Sequence, residues 1–492
     1  VPLFKNLGDF YHGYEMPLAR AFHEIDRRGI LVSEERLDKF KLHLKTELQD
    51  ACQKIEAVVN LPVIPKGGKG VKTPKGTLNL SSVPSLKRVL VDVLKIKLKK
   101  DFKSKQDSTG EEALNEAYAA TGNPVLKEIL RVRELNKING TYAHATLLDS
   151  ILYTSYTVTG TKTGRRSSRE TPFTASSGHK IGTNMQNLPK QSDLGKLFRE
   201  CLIARPGKIF LSSDQSQAED WIVCAIIAAV SGSTKGLDEL RNGIDRHRRL
   251  ATQIFNKTED ECKKGTMFRF MGKKTRHAGN YGMQASMMSS SLAKEGFSLS
   301  KRYCEVLLDK FHSFEPEIRN SFQQSIENII RTTRYLQTPV GRGMYFFGLR
   351  PNADNSKIFK EGFAYIPQST VGDNTGLAVL HCETNSPGLV VMDGHDSITI
   401  EIDDDIDSIL EGIDLLTESF NREFDFGNGV KIKIPIEFEL GYDLKNEEEF
   451  SPNKCRGNVK TGLQAILNTL RQHPSHRSHT TSGAPQPPSV AS

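Results

Sequence analysis

The sequence predicts an α+β fold in which a helical block interrupts a β-rich unit, and three observations carry the prediction. Residues up to about 145 repeat their apolar positions at helical spacing. The stretches Leu152–Thr159 and Lys208–Asp214 alternate, or run apolar, as strands do. After a second helical block over 233–362 the chain turns β-rich again, with a hairpin at Leu389–Ile402. The helical block therefore divides two halves of one sheet.

Taken in order, Tyr14–Asp26 reads as a helix that Gly29 breaks. Ser33, followed by Glu34 and Glu35, is an N-cap with acids in the first turn, and it opens a helix from Leu37 to Val58. The Gly-, Lys- and Pro-rich segment 65–76 is a loop. A helix over Ser85–Leu94, a lysine-rich connector, and helices over 111–119 and 124–142 follow. Beyond the first strand, Thr161–Ser168 makes a polar turn around Gly164, and Asn184–Asn187 comes after a Ser/Gly/Thr-rich insertion. Lys208–Asp214 is a strand ending on a carboxylate, and Gln217–Val230 is a helix with Trp221, Ile222, Ala225, Ile226 and Ala229 on its apolar positions. Gln368–Asp373 starts a helix, and Asp396 stands at the hairpin turn. From 452 onward the chain is basic and rich in Pro, Ser and Gly, so it is expected to lack fixed structure.

At 492 residues, 37% hydrophobic and 26% charged, the chain has the composition of a globular protein with room for about two to four domains. It contains no apolar run of about 18 residues, so no membrane contact is expected. Seven cysteines without a CxxC pair argue against a disulfide frame or zinc ribbon and for a reducing compartment. The first residue is Val1, without an initiator Met or a signal pattern, which suggests a fragment or processed product. The net charge of +8 is unevenly spread: residues 61–110 carry twelve Lys or Arg against three Asp, and residues from 451 carry five with no acid. Such blocks are either solvated surface or contacts to a phosphate backbone.

Two constellations point to chemistry. In Arg269–Gly282, the residues Arg269, Lys273, His277 and Tyr281 recur every fourth position. Four such positions drift only about 120° around a helix axis, giving one face that is cationic at its start and aromatic at its end. An anionic, partly planar ligand such as a nucleoside triphosphate suits that face. Asp214 at a strand end and Asp396 at a hairpin turn of the same sheet are a geometry for two metal ions, which prefer hard oxygen ligands. Either Asp alone would be an ordinary turn or cap residue.

Asp214-Gln-Ser-Gln-Ala-Glu219, the Arg269 to Gly282 stretch and His395-Asp396 resemble the three polymerase motifs of family A DNA polymerases, the group of bacterial DNA polymerase I and related phage enzymes. Thr163-Gly164-Arg165 with Ser167-Ser168, Asn184–Asn187 and Gln368-Ser-Thr resemble the family's primer-template contacts, and the N-terminal helices its thumb. The likeness runs over about residues 14–445 in the family's order.

The resemblance implies a right-hand fold: thumb at 1–145, palm at 146–232 and 363–451 with an antiparallel sheet, helical fingers at 233–362, and the basic tail at 452–492. It implies a DNA-directed DNA polymerase that extends a primer 3′-hydroxyl on primer-template DNA with deoxynucleoside triphosphates. Asp214 and Asp396 would hold two magnesium ions, which Mn2+ can replace, with the Gln215 carbonyl completing one shell. Arg269 and Lys273, helped by His247, would meet the triphosphate. Tyr281 would stack near the nascent pair, with His277 beside it, and Glu219 would exclude a ribose 2′-hydroxyl. Arg165, Asn184, Asn187, Gln368 and His395 would contact DNA.

The chain departs from the family pattern at named positions. His277 replaces an aromatic residue, Gln215 a Tyr, Asp220-Trp221 a Leu-Arg pair, and Ser397 an acid. These mark a divergent phage- or organelle-type member. A monomer is expected, acting in the bacterial or phage-infected cytoplasm or in an organelle. No acidic cluster of a 3′–5′ exonuclease is legible, so extension without proofreading is expected. A single-subunit RNA polymerase, or a catalytically silent nucleic-acid-binding protein on the same scaffold, is the alternative; Glu219 opposes the first and the two aspartates with Lys273 oppose the second.

Overall fold

The run Ile209-Phe-Leu211 is buried on both sides, and it lies at the centre of a five-stranded antiparallel sheet in the computed structural model. The structure describes residues 2–67, 74–101, 106–188, 192–295, 297, 299–452 and 458–473. The sheet comprises β1 (Lys208–Gln215), β2 (Val390–Gly394), β3 (Ser397–Asp403), β4 (Ile436–Gly441) and β5 (Glu447–Phe450), in the order β2-β3-β1-β4-β5. A central strand flanked on both edges and covered on its faces needs apolar side chains in both directions, which explains why β1 does not alternate cleanly. The helix Ile406–Phe420 lies on this sheet, and Gly412 allows the approach: a Cβ there would sit 3.0 Å from Leu211 and 3.3 Å from Ile400. Each fully buried Leu or Ile of this layer contributes roughly 1.5–3 kcal/mol.

The chain divides into two compact units. The first, residues 1–36, 145–249 and 316–492, contains the sheet. The N-terminal residues join it through a short strand, Ile30–Val32, which pairs with Ile151–Leu152 on one side and Leu202–Ile203 on the other. Gly29 takes a positive φ of 58° to enter that strand, where a Cβ would overlap the Leu152 carbonyl. The second unit, residues 37–144 and 250–315, is largely helical. Its core gathers Ile55, Leu86, Leu90, Leu114, Leu126 and Ile129, and its helix Ala285–Lys294 packs on Glu111–Thr121. These units cut the chain elsewhere than the segments expected from sequence, because strand pairing draws 1–36 and hairpin and helix packing draw 316–362 to the sheet.

Four local expectations are corrected. The stretch Leu152–Thr159 is two separate strands, Ile151–Leu152 and Ser155–Thr157, with different partners. Gln368 does not start a helix but lies inside one of 30 residues, Ser356–Asn385, which runs through Pro367. Burial of almost every side from Phe359 to Val379 outweighs the missing amide of that proline. The region 78–98, part of the lysine-rich block, supplies Leu78, Leu80, Val89, Ile96 and Leu98 to the core, although its lysines at 69, 72, 103 and 105 lie outside the described residues. The tail is not structureless throughout: Val459–Gln472 is a helix, capped by Asn458, with Leu463, Leu467 and Leu470 buried along one side. The rest of the tail, 453–457 and 474–492, lies outside the described residues.

Asp26 illustrates what burial does to a carboxylate in the sheet unit. It accepts a hydrogen bond from the Tyr156 amide at 3.0 Å, yet burial pushes its carboxyl up to about 6. A folded value above the unfolded one means that its contribution is intact at low pH and is lost as pH rises through about 6. Asp26→Asn, which keeps the acceptor, is therefore expected to raise the melting temperature at about pH 7 and to lose that advantage by about pH 4. An equal gain at both pH values in a thermal melt contradicts this.

Candidate active site

Register alone brings the two sequence-predicted aspartates to one edge of the sheet. In β1, Asp214 pairs with Ser397 of β3 on one side and Glu437 of β4 on the other. Gly394 pairs with Ser397, which leaves His395-Asp396 as the two-residue turn between β2 and β3. The Gln215 amide donates to the Asp396 carbonyl at 3.1 Å, so the strand end and the turn are joined directly. Asp214 is half-buried and Asp396 exposed. The acid missing at Ser397 has a counterpart on the opposite neighbour strand, where Glu437 accepts from Ser216 Oγ at 2.7 Å.

The Gln215 side chain is buried and knits three elements together. Its Nε2 donates to Thr375 Oγ1 at 2.8 Å and lies 3.2 Å from the Val371 carbonyl and 3.4 Å from the Asp396 carbonyl. Its Oε1 accepts from Asn374 Nδ2 at 2.7 Å. Thr375 Oγ1 in turn reaches the His395 carbonyl at 3.3 Å. The long helix Ser356–Asn385 thus fastens both the strand end and the turn through side chains that a Tyr at 215 would not supply.

Below the turn lies a third aspartate with a different task. Asp393 is fully buried and grips Arg166, itself 1% exposed, through Nε at 2.9 and 3.0 Å and Nη2 at 2.6 Å. Gln186 Nε2 donates to the same carboxylate at 2.7 Å, and Arg166 Nη1 donates to the Gly372 carbonyl at 2.7 Å. Fork-to-fork geometry with all three guanidinium nitrogens engaged is what makes a buried ion pair tolerable.

The remaining predicted residues of this unit surround the edge. Glu219 stands in the first turn of the helix Ala218–Ser231, and its carboxylate is held by Arg165 of the Gly164 turn. His395 is half-buried; burial first, and the Arg165 charge second, hold its imidazole below the usual histidine value. Asn184 Oδ1 accepts from Ser168 Oγ at 3.0 Å and from the Asn187 amide at 2.9 Å, so Asn184 shapes the loop that presents the exposed Asn187. His247 is buried near the start of the helix Arg246–Phe255. Gln217 accepts from the Arg246 amide at 2.9 Å, and the unusual Asp220 pairs with the Arg246 guanidinium at 3.7 Å beside Glu239 at 3.1 Å. The Asp220 departure is therefore matched by a cation in the helix that carries His247. Gln368 is half-buried one turn before the Val371–Thr375 stretch that binds Gln215.

In the second unit, Thr266 caps the helix Met267–Asn280. Met271, Thr275, Arg276, Ala278 and Gly279 are buried, whereas Lys273 is exposed and Arg269, His277 and Tyr281 are partly exposed. The cationic and aromatic stripe is thus the face turned away from this unit's interior. The His277 and Tyr281 rings lie 6.4 Å apart at 44°. Arg276 anchors the opposite side by donating to both oxygens of Glu315, at 2.8 and 2.5 Å, over the Phe311 ring.

The family model for DNA polymerase family A matches residues 36–446. The chain belongs to that family. Among family A relatives, DNA polymerase I of Thermus filiformis is 25% identical over 459 residues, covering 89% of this chain and 49% of the relative. DNA polymerase I of Deinococcus radiodurans is 26% identical, covering 88% and 41%, and the thermostable enzyme of Thermus aquaticus is 28% identical, covering 75% and 40%. This family A chain thus spans half or less of the length of the curated relatives it matches. In fold it is similar to the POL domain of Pol1 from M. smegmatis, solved in complex with DNA primer-template and dNTP, with a TM-score of 0.70, 19% identity, and coverage of 89% of this chain and 71% of that one. The right-hand architecture expected from sequence is consistent with that likeness.

Sequence reasoning missed Arg166, Asp393, Asn374 and Thr375 as parts of the site, and Arg276 with Glu315 as the anchor of the Arg269 helix. Arg166 and Asp393 lie 227 positions apart and carry no local pattern. Removing one partner of such a pair strands a buried charge, so Arg166→Met is expected to cost about 3–5 kcal/mol of unfolding free energy. Urea denaturation checks this; a loss typical of an exposed pair, below about 1 kcal/mol, contradicts it.

Proposed function

We propose that this chain is a template-directed DNA polymerase that joins deoxynucleoside triphosphates to a primer 3′-hydroxyl. The observation that carries the reading is the meeting of Asp214 and Asp396 at one sheet edge within a family A match. The donor set there is two carboxylates and the Gln215 carbonyl. These are hard oxygens, and two carboxylates suit magnesium, which keeps several waters and takes phosphate oxygens. When bound, two such ions supply charge stabilisation at the attacking and leaving oxygens.

This chain's own residues do the positioning. Lys273 and Arg269, with His247, neutralise the triphosphate as charge moves to the leaving pyrophosphate. Tyr281 and His277 offer rings to the base, and Glu219, steadied by Arg165, stands where a 2′-hydroxyl would clash. Arg165, Asn187, Gln368 and the neutral His395 are suited to hydrogen bonds with the primer-template, which sets register rather than reading sequence. Residues 1–145, 146–232 with 363–451, and 233–362 are assigned the thumb, palm and fingers roles. The lysines of 61–110 are assigned backbone contacts, with the steep salt dependence that counterion release produces. No 3′–5′ hydrolysis is assigned to residues 36–446, since the polymerase match accounts for them.

The test is primer extension with magnesium and the four deoxynucleotides. Wild type is expected to extend, and Asp396→Ala to be slower by at least about a thousandfold. No extension by wild type, or equal extension by the variant, overturns the proposal. Lys273→Ala is expected to raise the KM for nucleotide by roughly ten- to a hundredfold while leaving the Kd for primer-template unchanged, since a hydrogen bond to a charged group is involved. An unaltered KM removes Lys273 from the nucleotide site.

A further inference from the structure

The sheet-bearing unit carries an exposed aromatic ladder that the polymerase reading does not use. Two short strands, Tyr335–Gln337 and Gly343–Tyr345, form a hairpin in which Tyr345 pairs with Tyr335. Their rings lie 4.7 Å apart, and the Phe347 ring continues the stack from Tyr345 at 5.4 Å and 9°. Tyr345 is 55% exposed and Phe347 78%. A cross-strand aromatic pair steadies a hairpin, and rings left this exposed also offer their faces to a flat ligand.

Charge narrows the ligand. Residues 328–353 contain four arginines and no Asp or Glu. Arg334 and Arg350 are exposed, one residue before Tyr335 and three after Phe347, and the Phe346 amide bonds the Arg334 carbonyl at 2.8 Å, which ties the first of them to the ring-bearing strand. Arg331 lies over the Phe359 ring at 4.4 Å and pairs with Glu327 at 3.6 Å. A ladder of rings flanked by cations fits successive unpaired bases joined by phosphates better than it fits a protein surface.

The platform is rigid and continuous with the site described above. Arg342 at the hairpin's root donates to both oxygens of the buried Asp373 at 2.8–3.1 Å, lies over the Phe10 ring, and reaches Glu15 at 3.2 Å. A Cβ on Gly164 would overlap the Arg342 guanidinium, so the hairpin root abuts the turn whose Arg165 holds Glu219.

We propose that Tyr335, Tyr345 and Phe347, with Arg334 and Arg350, form a stacking platform for single-stranded DNA. On the polymerase reading, on which this part of the inference rests, the occupant is the unpaired 5′ stretch of the template. The test is fluorescence anisotropy with the full chain, using two primer-templates that differ only in a template overhang of about two or about twelve nucleotides, and a thymidine oligonucleotide without duplex. Wild type is expected to bind the long overhang more tightly than the short one. The Tyr345→Ala/Phe347→Ala double variant should bind the long overhang and the oligonucleotide roughly tenfold or more weakly, with the short-overhang Kd unchanged. Tyr345→Phe/Phe347→Tyr should keep wild-type affinity. Overhang-independent binding in wild type, an equal loss on both templates, or a variant that changes only self-association in sedimentation overturns the proposal. Because the oligonucleotide measurement needs no extension, failure of the polymerase reading would appear separately, as absent extension on the short-overhang template.

Discussion

Everything proposed for this chain depends on holding two like charges at one end of a sheet. Asp214 and Asp396 gain nothing from each other, and without a cation between them their repulsion favours separation of the strand end from the hairpin turn. A set of neutral hydrogen bonds opposes separation: the Gln215 backbone amide and side chain, and the Thr375 hydroxyl, all grip carbonyls of the His395-Asp396 turn. Neutral ties have an advantage here. A hydrogen bond to a carbonyl fixes the backbone of the turn without engaging a carboxylate.

Beneath those ties the fold uses buried arginines as rivets. Arg166 with Asp393 and Arg342 with Asp373 each join a loop or hairpin to another element, and Arg246 with Asp220 and Glu239 ties a helix start to the two helices before it. Such pairs contribute little net stability, because desolvation offsets their attraction, but they penalise every arrangement in which one partner is stranded. Placed under the turn, at the root of the aromatic hairpin and beside His247, they act at the points where a small displacement would move functional side chains. The helix Met267–Asn280 follows the same logic within its own unit, with Arg276 and Glu315 fixing the side opposite the partly exposed Arg269 to Tyr281 stripe.

The parts of this arrangement that were legible in the sequence are those with local patterns. The i, i+4 stripe of Arg269, Lys273, His277 and Tyr281, the strand ending in Asp214 and the hairpin turning at Asp396 each reside in fewer than twenty residues, and periodicity and turn chemistry suffice for them. Long-range partners were not legible. Asp393 looks in sequence like another candidate metal ligand beside Asp396, and only its burial against Arg166 shows that it is structural. Composition misled in the tail, whose proline-rich end masked the Leu463–Leu470 stripe, and the helix expected to start at Gln368 begins a dozen residues earlier, where burial carries it through Pro367. The departures at 215 and 220 read in sequence as marks of a divergent member, and each has a partner, Thr375 and Asn374 for the first and Arg246 for the second.

The Gln215 side-chain amide ties the strand end that carries Asp214 to the helix at 371–375 and to the Asp396 carbonyl, and on the proposed function this keeps the two aspartates in register for magnesium. Its most direct test is the magnesium dependence of single-turnover primer extension by Gln215→Leu, a substitution of similar volume that removes both the donor and the acceptor. The account predicts a variant with near wild-type affinity for primer-template whose half-saturating magnesium concentration is raised by about tenfold, the equivalent of one or two lost hydrogen bonds. A variant that folds, extends at the wild-type rate and shows an unshifted magnesium curve would contradict it.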